Sequence, residues 1–234
     1  GGTIASKVDY RTGGVVSRFE PSELLNMFPE LGSVVNLRSK LISNMLSENM
    51  RFAHYNIIAK EIQKEIKSGT NGIIITHGTD TLHYTASALS FMLEGLNKAV
   101  ILTGSQIPIG VRRSDAKENL ITAVEIAASG KVHEVCIYFE DQLYKGNRTV
   151  KINTEHFEAF ESPNYPILAE AGVKIKYKRT LQKKEDKKLV VHKSLSNDVA
   201  ILKLFPGITI ATIKAIIGSA KGIVIPTSLN KKLL

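Results

Sequence analysis

Apolar runs of strand length alternate along this chain with stretches whose apolar residues recur at helical spacing. VVNLRSKLI (34–42), GIIIT (72–76), KAVILT (98–103) and EVCIYF (134–139) carry the strand pattern. In RFAHYNIIAKEIQKEIK (51–67) Ile58, Ile62 and Ile66 recur every fourth position among Lys and Glu, which predicts an amphipathic helix. A second helix is predicted through TLHYTASALSFML (81–93). Strands and helices in alternation build a mostly parallel sheet with helices on both faces, so the predicted class is α/β.

The same pattern divides the chain. Residues 1–165 read as the main domain and 166–196 as a charged linker or hairpin. Residues 197–234 then read as one more strand, helix and strand, the beginning of an incomplete second α/β domain. At the front, Gly1-Gly2-Thr3 has the form of a turn that follows a strand. The expectation is therefore a fragment, or a product trimmed at both ends, lacking a leading strand and most of its second domain.

Composition narrows the class without naming a chemistry. With 43% hydrophobic and 23% charged residues the chain is an ordinary globular protein, and disordered or collagen-like classes drop out. No apolar run reaches the roughly 18 residues that a membrane-spanning helix needs, and no basic-then-apolar leader opens the sequence. Cys136 stands alone inside VCIYF, so no internal disulfide forms and it reads as a small core hydrophobe. A cytoplasmic location fits.

The net charge of +9 raises nucleic acid as a partner, but its distribution argues otherwise. Residues 174–193 hold nine Lys or Arg against Glu185 and Asp186, with Tyr177 the lone aromatic among them. Such a run is a solvated hairpin or linker more often than a stacking platform for bases.

Chemistry concentrates in GIIITHGTDT (72–81), where five polar or small residues follow an apolar strand. A strand buried in a parallel sheet offers a ligand only its C-terminal end, so Thr79 and Asp80 fall where binding residues belong. The plainer reading makes Asp80 a helix cap and Thr79 part of a turn. GGTIAS (1–6) sets Thr3 behind two glycines that let backbone N–H groups approach a ligand, LTGSQIPIG (102–110) adds a polar turn behind another strand, and NRTVK supplies Lys151. No G-x-S-x-G elbow accompanies His77, which reads as a support for its turn. His54, His83, His133, His156 and His192 form no H-E-x-x-H spacing, and no phosphate-binding G-x-x-x-x-G-K-[ST] loop occurs. The predicted chemistry uses neither metal nor cofactor.

GGTIAS, LSENM, HGTDT, TGSQIPI and YKGNRTVK, in this order, resemble the bacterial-type L-asparaginase family of amidohydrolases. HYTASALSFML and FEAFESPNYPILAEAG look most like its cytoplasmic, type I branch. DYRTGGV, FEPSELLNMFPEL and LSENM look closer to the amide-hydrolysing subunit of the archaeal glutamyl-tRNA(Gln) amidotransferase, whereas the part from IPIGVRRSDAKENL onward follows the free-standing enzyme.

The resemblance implies an asparaginase-like catalytic domain over 1–165 that hydrolyses L-asparagine, or L-glutamine, without a cofactor. It makes Thr3 the primary nucleophile and sets Thr79, Asp80 and Lys151 as a second polar group across the substrate. Which threonine attacks first stays open. Ser47, Glu48, Gly78, Thr79 and Asp80 are implied to hold the amino-acid substrate, and Tyr10 to sit on a mobile lid. Ser47 as a helix cap and Lys151 as a surface lysine are the plainer alternatives.

A homo-oligomer without membrane association is implied, with weak activity expected of a shortened chain. Two other classes compete: an ammonia-supplying amidotransferase component that meets tRNA, and a non-catalytic amino-acid-binding module.

Overall fold

In the computed structural model the residues described are 2–8, 15–17, 28–29, 31–178, 181 and 187–226. They form two compact units, Gly1–Lys193 and Ser194–Leu234.

The first unit begins with a 3-10 turn at Thr3–Ala5 and the antiparallel pair β1 (Ser6–Val8) and β2 (Val15–Ser17), followed by the short helix α1 (Leu31–Val34). α2 (Phe52–Lys67) and α3 (Leu82–Met92) flank β3 (Gly72–Thr76) in sequence, and the two-residue β4 (Leu93–Glu94) leads to β5 (Ala99–Thr103). α4 (Ala116–Ala128) leads to β6 (Val135–Phe139), and β7 (Gln142–Lys145) folds straight back on it. Glu140 and Asp141 make that two-residue turn, both at positive φ (43° and 59°), as a tight hairpin demands.

β3, β5 and β6 are parallel neighbours, as the alternating pattern predicts. The sheet continues antiparallel through β7 and two short strands, β10 (Ala169–Glu170) and β11 (Lys176–Tyr177). β8 (Val150–Lys151) and β9 (Phe160–Glu161) form a separate antiparallel pair. Ala169–Glu170 and Lys176–Tyr177, inside the stretch read as a linker or hairpin, thus belong to the main sheet. β12 (Val190–Val191) pairs with β4.

β5 and β6 are buried along their whole length. Ile101, Cys136 and Tyr138 point to one face and pack with Ala123, Ile126 and Ala127 of α4, so Cys136 is the core hydrophobe its context predicts. Burial holds its thiol well above the ordinary range. Val100, Leu102, Ile137 and Phe139 alternate to the opposite face, which α3 covers. The three parallel strands succeed one another in one direction while their connecting helices lie on opposite faces. The two β-α-β connections therefore have opposite hands, and one departs from the usual right-handed rule.

One strand expectation fails. After α1, residues 35–46 form no strand: Arg38, Ser39 and Lys40 interrupt the apolar run, and Arg38 and Lys40 turn to α2 instead. Arg38 pairs with Glu65 at 3.1 Å and Lys40 with Glu61 at 2.6 Å. Along the outer edge of β3 the described residues leave a cavity of about 1000 Å³ between this segment, α2 and α4.

The second unit holds the parallel pair β13 (Val199–Ile201) and β14 (Gly222–Val224) with α5 (Ile210–Gly218) between them, the strand-helix-strand read from its sequence. Thr209 caps α5 by accepting the Thr212 N–H at 3.1 Å. Among the described residues no helix is long and apolar enough to cross a membrane.

Candidate active site

The polar cluster lies where β3 ends. His77 leaves the sheet with its N–H donated to the Thr103 carbonyl at 2.9 Å. Its Nδ1 faces the Gly78 carbonyl at 2.8 Å and its Nε2 faces Thr85 Oγ1 of α3 at 3.0 Å. A carbonyl only accepts, so Nδ1 carries the proton and Nε2 accepts from the threonine. Burial lowers the His77 pKa, opposed by the bond to Gly78. Both ring nitrogens are thus engaged in holding the turn.

Glycines let three segments meet beyond His77. A Cβ on Gly78 would stand 2.7 Å from Ser47 Cβ and Oγ, and a Cβ on Gly2 would stand 2.4 Å from Gly78 Cα and N. Gly2 also adopts φ +75°, which side chains avoid. Its N–H donates to the Met45 carbonyl at 3.3 Å, and Thr81 Oγ1 donates to the Ser47 carbonyl at 2.7 Å. The start of the chain, the 3-10 turn Ser47–Asn49 and the loop 77–81 are stapled together in this way. Thr3 follows Gly2 and Thr79 follows Gly78, so the two threonines flank one backbone contact.

Lys151 comes to this cluster from β8. Its Nζ donates to Thr79 Oγ1 at 2.8 Å and to Asp80 Oδ1 at 2.8 Å. Thr79 is 6% exposed and the Lys151 side chain 11%, against 62% for Asp80. An ammonium has no acceptor, so the Thr79 oxygen accepts from Lys151 and its own proton goes to Gln106 Oε1 at 3.2 Å. Gln106 Nε2 donates to the His156 carbonyl at 3.0 Å, which fixes the amide's orientation.

Gln106 is itself anchored. The Asp115 carboxylate accepts its N–H at 3.0 Å, the Ile107 N–H at 3.2 Å and Asn119 Nδ2 at 3.1 Å. Burial raises the Asp115 pKa, and these donors oppose the rise. Asn119 Nδ2 also reaches the Gly104 carbonyl at 3.1 Å. Gly104 has no room for a side chain, since a Cβ there would lie 2.5 Å from the His77 carbonyl.

Position speaks against the plainer readings of Asp80, Ser47 and Lys151. α3 is capped at Thr81 with no side-chain bond, and the Asp80 carboxylate meets Lys151 instead. The N-cap of α2 is Arg51, so Ser47, which is buried, caps no α-helix. Lys151 is not a surface lysine. Gly78, Thr79, Asp80, Lys151 and Ser47 come together, Thr3 is half-buried beside them, and Glu48 is exposed in the Ser47 turn. Tyr10 lies outside the described residues.

Nothing in the sequence singles out Gln106 or Asp115, although Gln106 stands inside TGSQIPI. Among the described residues no three His, Cys, Asp or Glu side chains are placed to hold a metal.

The arrangement buries a hydroxyl between a cation that favours its alkoxide and an acceptor that orients its proton, beside an exposed carboxylate. Such a site suits attack on a carbonyl and capture of a cationic group.

Comparison with known proteins gives the family. Residues 1–183 match the family described as "Asparaginase, N-terminal". The chain is 38% identical over 236 residues to a glutamyl-tRNA(Gln) amidotransferase subunit of Pyrococcus horikoshii, covering 96% of this chain and 54% of that protein. It is 43% identical over 184 residues to the human 60 kDa lysophospholipase, covering 77% of this chain and 32% of the relative. The chain thus spans about half of the amidotransferase relative and a third of the lysophospholipase.

In structure it matches L-asparaginase I from Vibrio cholerae with TM-score 0.87 and 34% identity, over 97% of this chain and 69% of that one. The thermostable L-asparaginase from Thermococcus kodakarensis matches with TM-score 0.82 and 30% identity, over 96% and 68%. A family match across most of the sequence and a superposable fold agree with the motifs around Thr3, Ser47, Thr79 and Lys151: the chain belongs to the asparaginase family and has its amidohydrolase fold.

Proposed function

We propose that this chain carries the site of an L-asparaginase, hydrolysing the side-chain amide of L-asparagine to L-aspartate and ammonia through a threonine nucleophile. The observation that carries the reading is the buried Thr79 hydroxyl held at 2.8 Å by Lys151 and at 3.2 Å by Gln106, beside Asp80.

A threonine oxygen, with Thr3 the first candidate, attacks the amide carbon and its proton passes to a base. The tetrahedral oxyanion collapses with cleavage of C–N, ammonia leaves after protonation, and water hydrolyses the resulting ester. Lys151 stabilises negative charge on Thr79 or, once it has given up a proton, serves as the base toward it. Asp80 meets the substrate α-ammonium with Glu48 near it, Ser47 and Gly78 form the floor for the α-carboxylate, and Tyr10 serves as a lid residue. A homo-oligomer acting in the cytoplasm completes the proposal.

A second reading is a glutamine-hydrolysing component that feeds ammonia to a tRNA-dependent amidotransferase. It is favoured by 38% identity to the Pyrococcus horikoshii amidotransferase protein across 96% of this chain. Ammonia release from L-asparagine and from L-glutamine, measured beside Thr3→Ala and Thr79→Ala forms that remain folded, tests the first reading. Copurification with a second protein and tRNA marks the second. Stabilisation by either amino acid with no ammonia would leave a binding module.

A further inference from the structure

His83 lies one turn from the Thr79 loop and has no place in the reaction just described. It stands in the first turn of α3, three residues after Asp80, and touches the hairpin that delivers Lys151. Its ring is 4.3 Å from that of Tyr84 and meets Phe160 edge-on at 6.3 Å. Phe160 is the cross-strand partner of Lys151 in the β8–β9 pair. Phe160 is fixed from behind by Phe139 at 5.0 Å and through its carbonyl by the Tyr144 hydroxyl at 3.1 Å. Phe160 is thus held by Phe139 and Tyr144, and the His83 ring reaches from α3 to it.

One polar atom of that ring is left without a partner. His83 Nδ1 is buried with no hydrogen-bond partner, an arrangement that costs free energy and that an apolar ring would avoid. Burial lowers the His83 pKa, and the Lys151 charge lowers it further. The elements packed on α3 bring Tyr55 from α2, Glu94 from β4, which is paired with His192 at 2.6 Å, and Arg148, which is turned to the Tyr165 ring. Tyr84 is the neighbour on its own helix.

Resting on the amidohydrolase reading, we propose that His83 is a positioning residue for Lys151: its neutral ring, wedged against Phe160, holds the β8–β9 hairpin so that Lys151 reaches Thr79 and Asp80, and its protonation opposes that placement. An imidazolium here would be repelled by the Lys151 ammonium, and the pair would relax by moving Lys151 outward. Acid thus acts on the site through a residue that never touches substrate.

Two experiments on the full chain test this. In ammonia release from L-asparagine, His83→Ala is expected to lower kcat roughly tenfold with KM little changed, because the lysine is misplaced while the substrate contacts remain. His83→Phe is expected to recover most of that loss and to move the acidic limb of the kcat profile to lower pH. A kcat untouched by His83→Ala, or pH profiles of parent and His83→Phe that superimpose, would overturn the proposal.

The second experiment needs no turnover. The His83 imidazole is titrated by NMR in the parent and in Lys151→Met, where its pKa is expected to rise once the neighbouring cation is gone. An unmoved titration overturns the coupling even if every form is inactive, and inactivity with a moved titration would discard only the amidase reading.

Discussion

Lys151 Nζ stands 2.8 Å from Thr79 Oγ1 across 72 positions of sequence. The contact joins a loop at the end of a parallel strand to a hairpin outside the main sheet. Lys151→Met is expected to lower kcat for amide hydrolysis at least about 10²-fold, the lower range for removing a positioned acid–base group. Stability should change by less than about 1 kcal/mol, since the ion-pair partner Asp80 is largely in water. Parallel rates and urea midpoints check both. Arginine should not substitute, because a planar guanidinium cannot give one compact donor to both Thr79 and Asp80.

Asp115 should matter although it touches no proposed substrate atom. It accepts the Gln106 and Ile107 N–H groups, and asparagine would turn donors toward donors. Asp115→Asn is expected to cost about 1–3 kcal/mol for the unpaired buried groups and to lower kcat by loosening Gln106. Thermal melts and rates on the folded variant measure the two effects.

Gly78→Ala would press its Cβ to 2.7 Å from Ser47. The expected outcome is about 1–3 kcal/mol of destabilisation and loss of amino-acid binding, because Ser47 must shift. Gly172→Ala, where a Cβ would meet nothing within 4 Å, is the control and should melt with the parent.

His77 predicts a pH dependence of stability. Its folded pKa is depressed by burial below the ordinary 6.5, so its contribution is fully present above pH 6.5 and is lost as pH falls from there through the folded value. Urea midpoints taken from pH 7.5 to 5 should fall more steeply for the parent than for His77→Phe, by at most about 1.4 kcal/mol per pH unit.

The sequence shows clearly what local pattern and motif encode. GIIIT and VCIYF are apolar through their length and appear as parallel strands where expected, VCIYF fully buried and GIIIT partly so beside the cavity. Thr79, Asp80 and Lys151 were legible because a hydroxyl, a carboxylate and a lysine stand out against such strands. Gln106 was not, since an amide in a polar turn looks like any loop residue until its partner across 27 positions is known. VVNLRSKLI misled because its apolar residues have strand propensity while Arg38 and Lys40 find their counter-ions on α2. The two-residue strands β8 to β11 are too short for any periodicity. Opposite hands of the two crossovers leave no trace in composition at all.

The central claim is that Thr79 and Lys151 act as one unit. The measurement is kcat/KM for ammonia release from L-asparagine by the parent, Thr79→Val, Lys151→Met and the double variant, each verified as folded. If the unit exists, each single change costs nearly as much as both together, because removing either member disables the pair. Losses that multiply in the double variant, or a Thr79→Val form as fast as the parent, would contradict it.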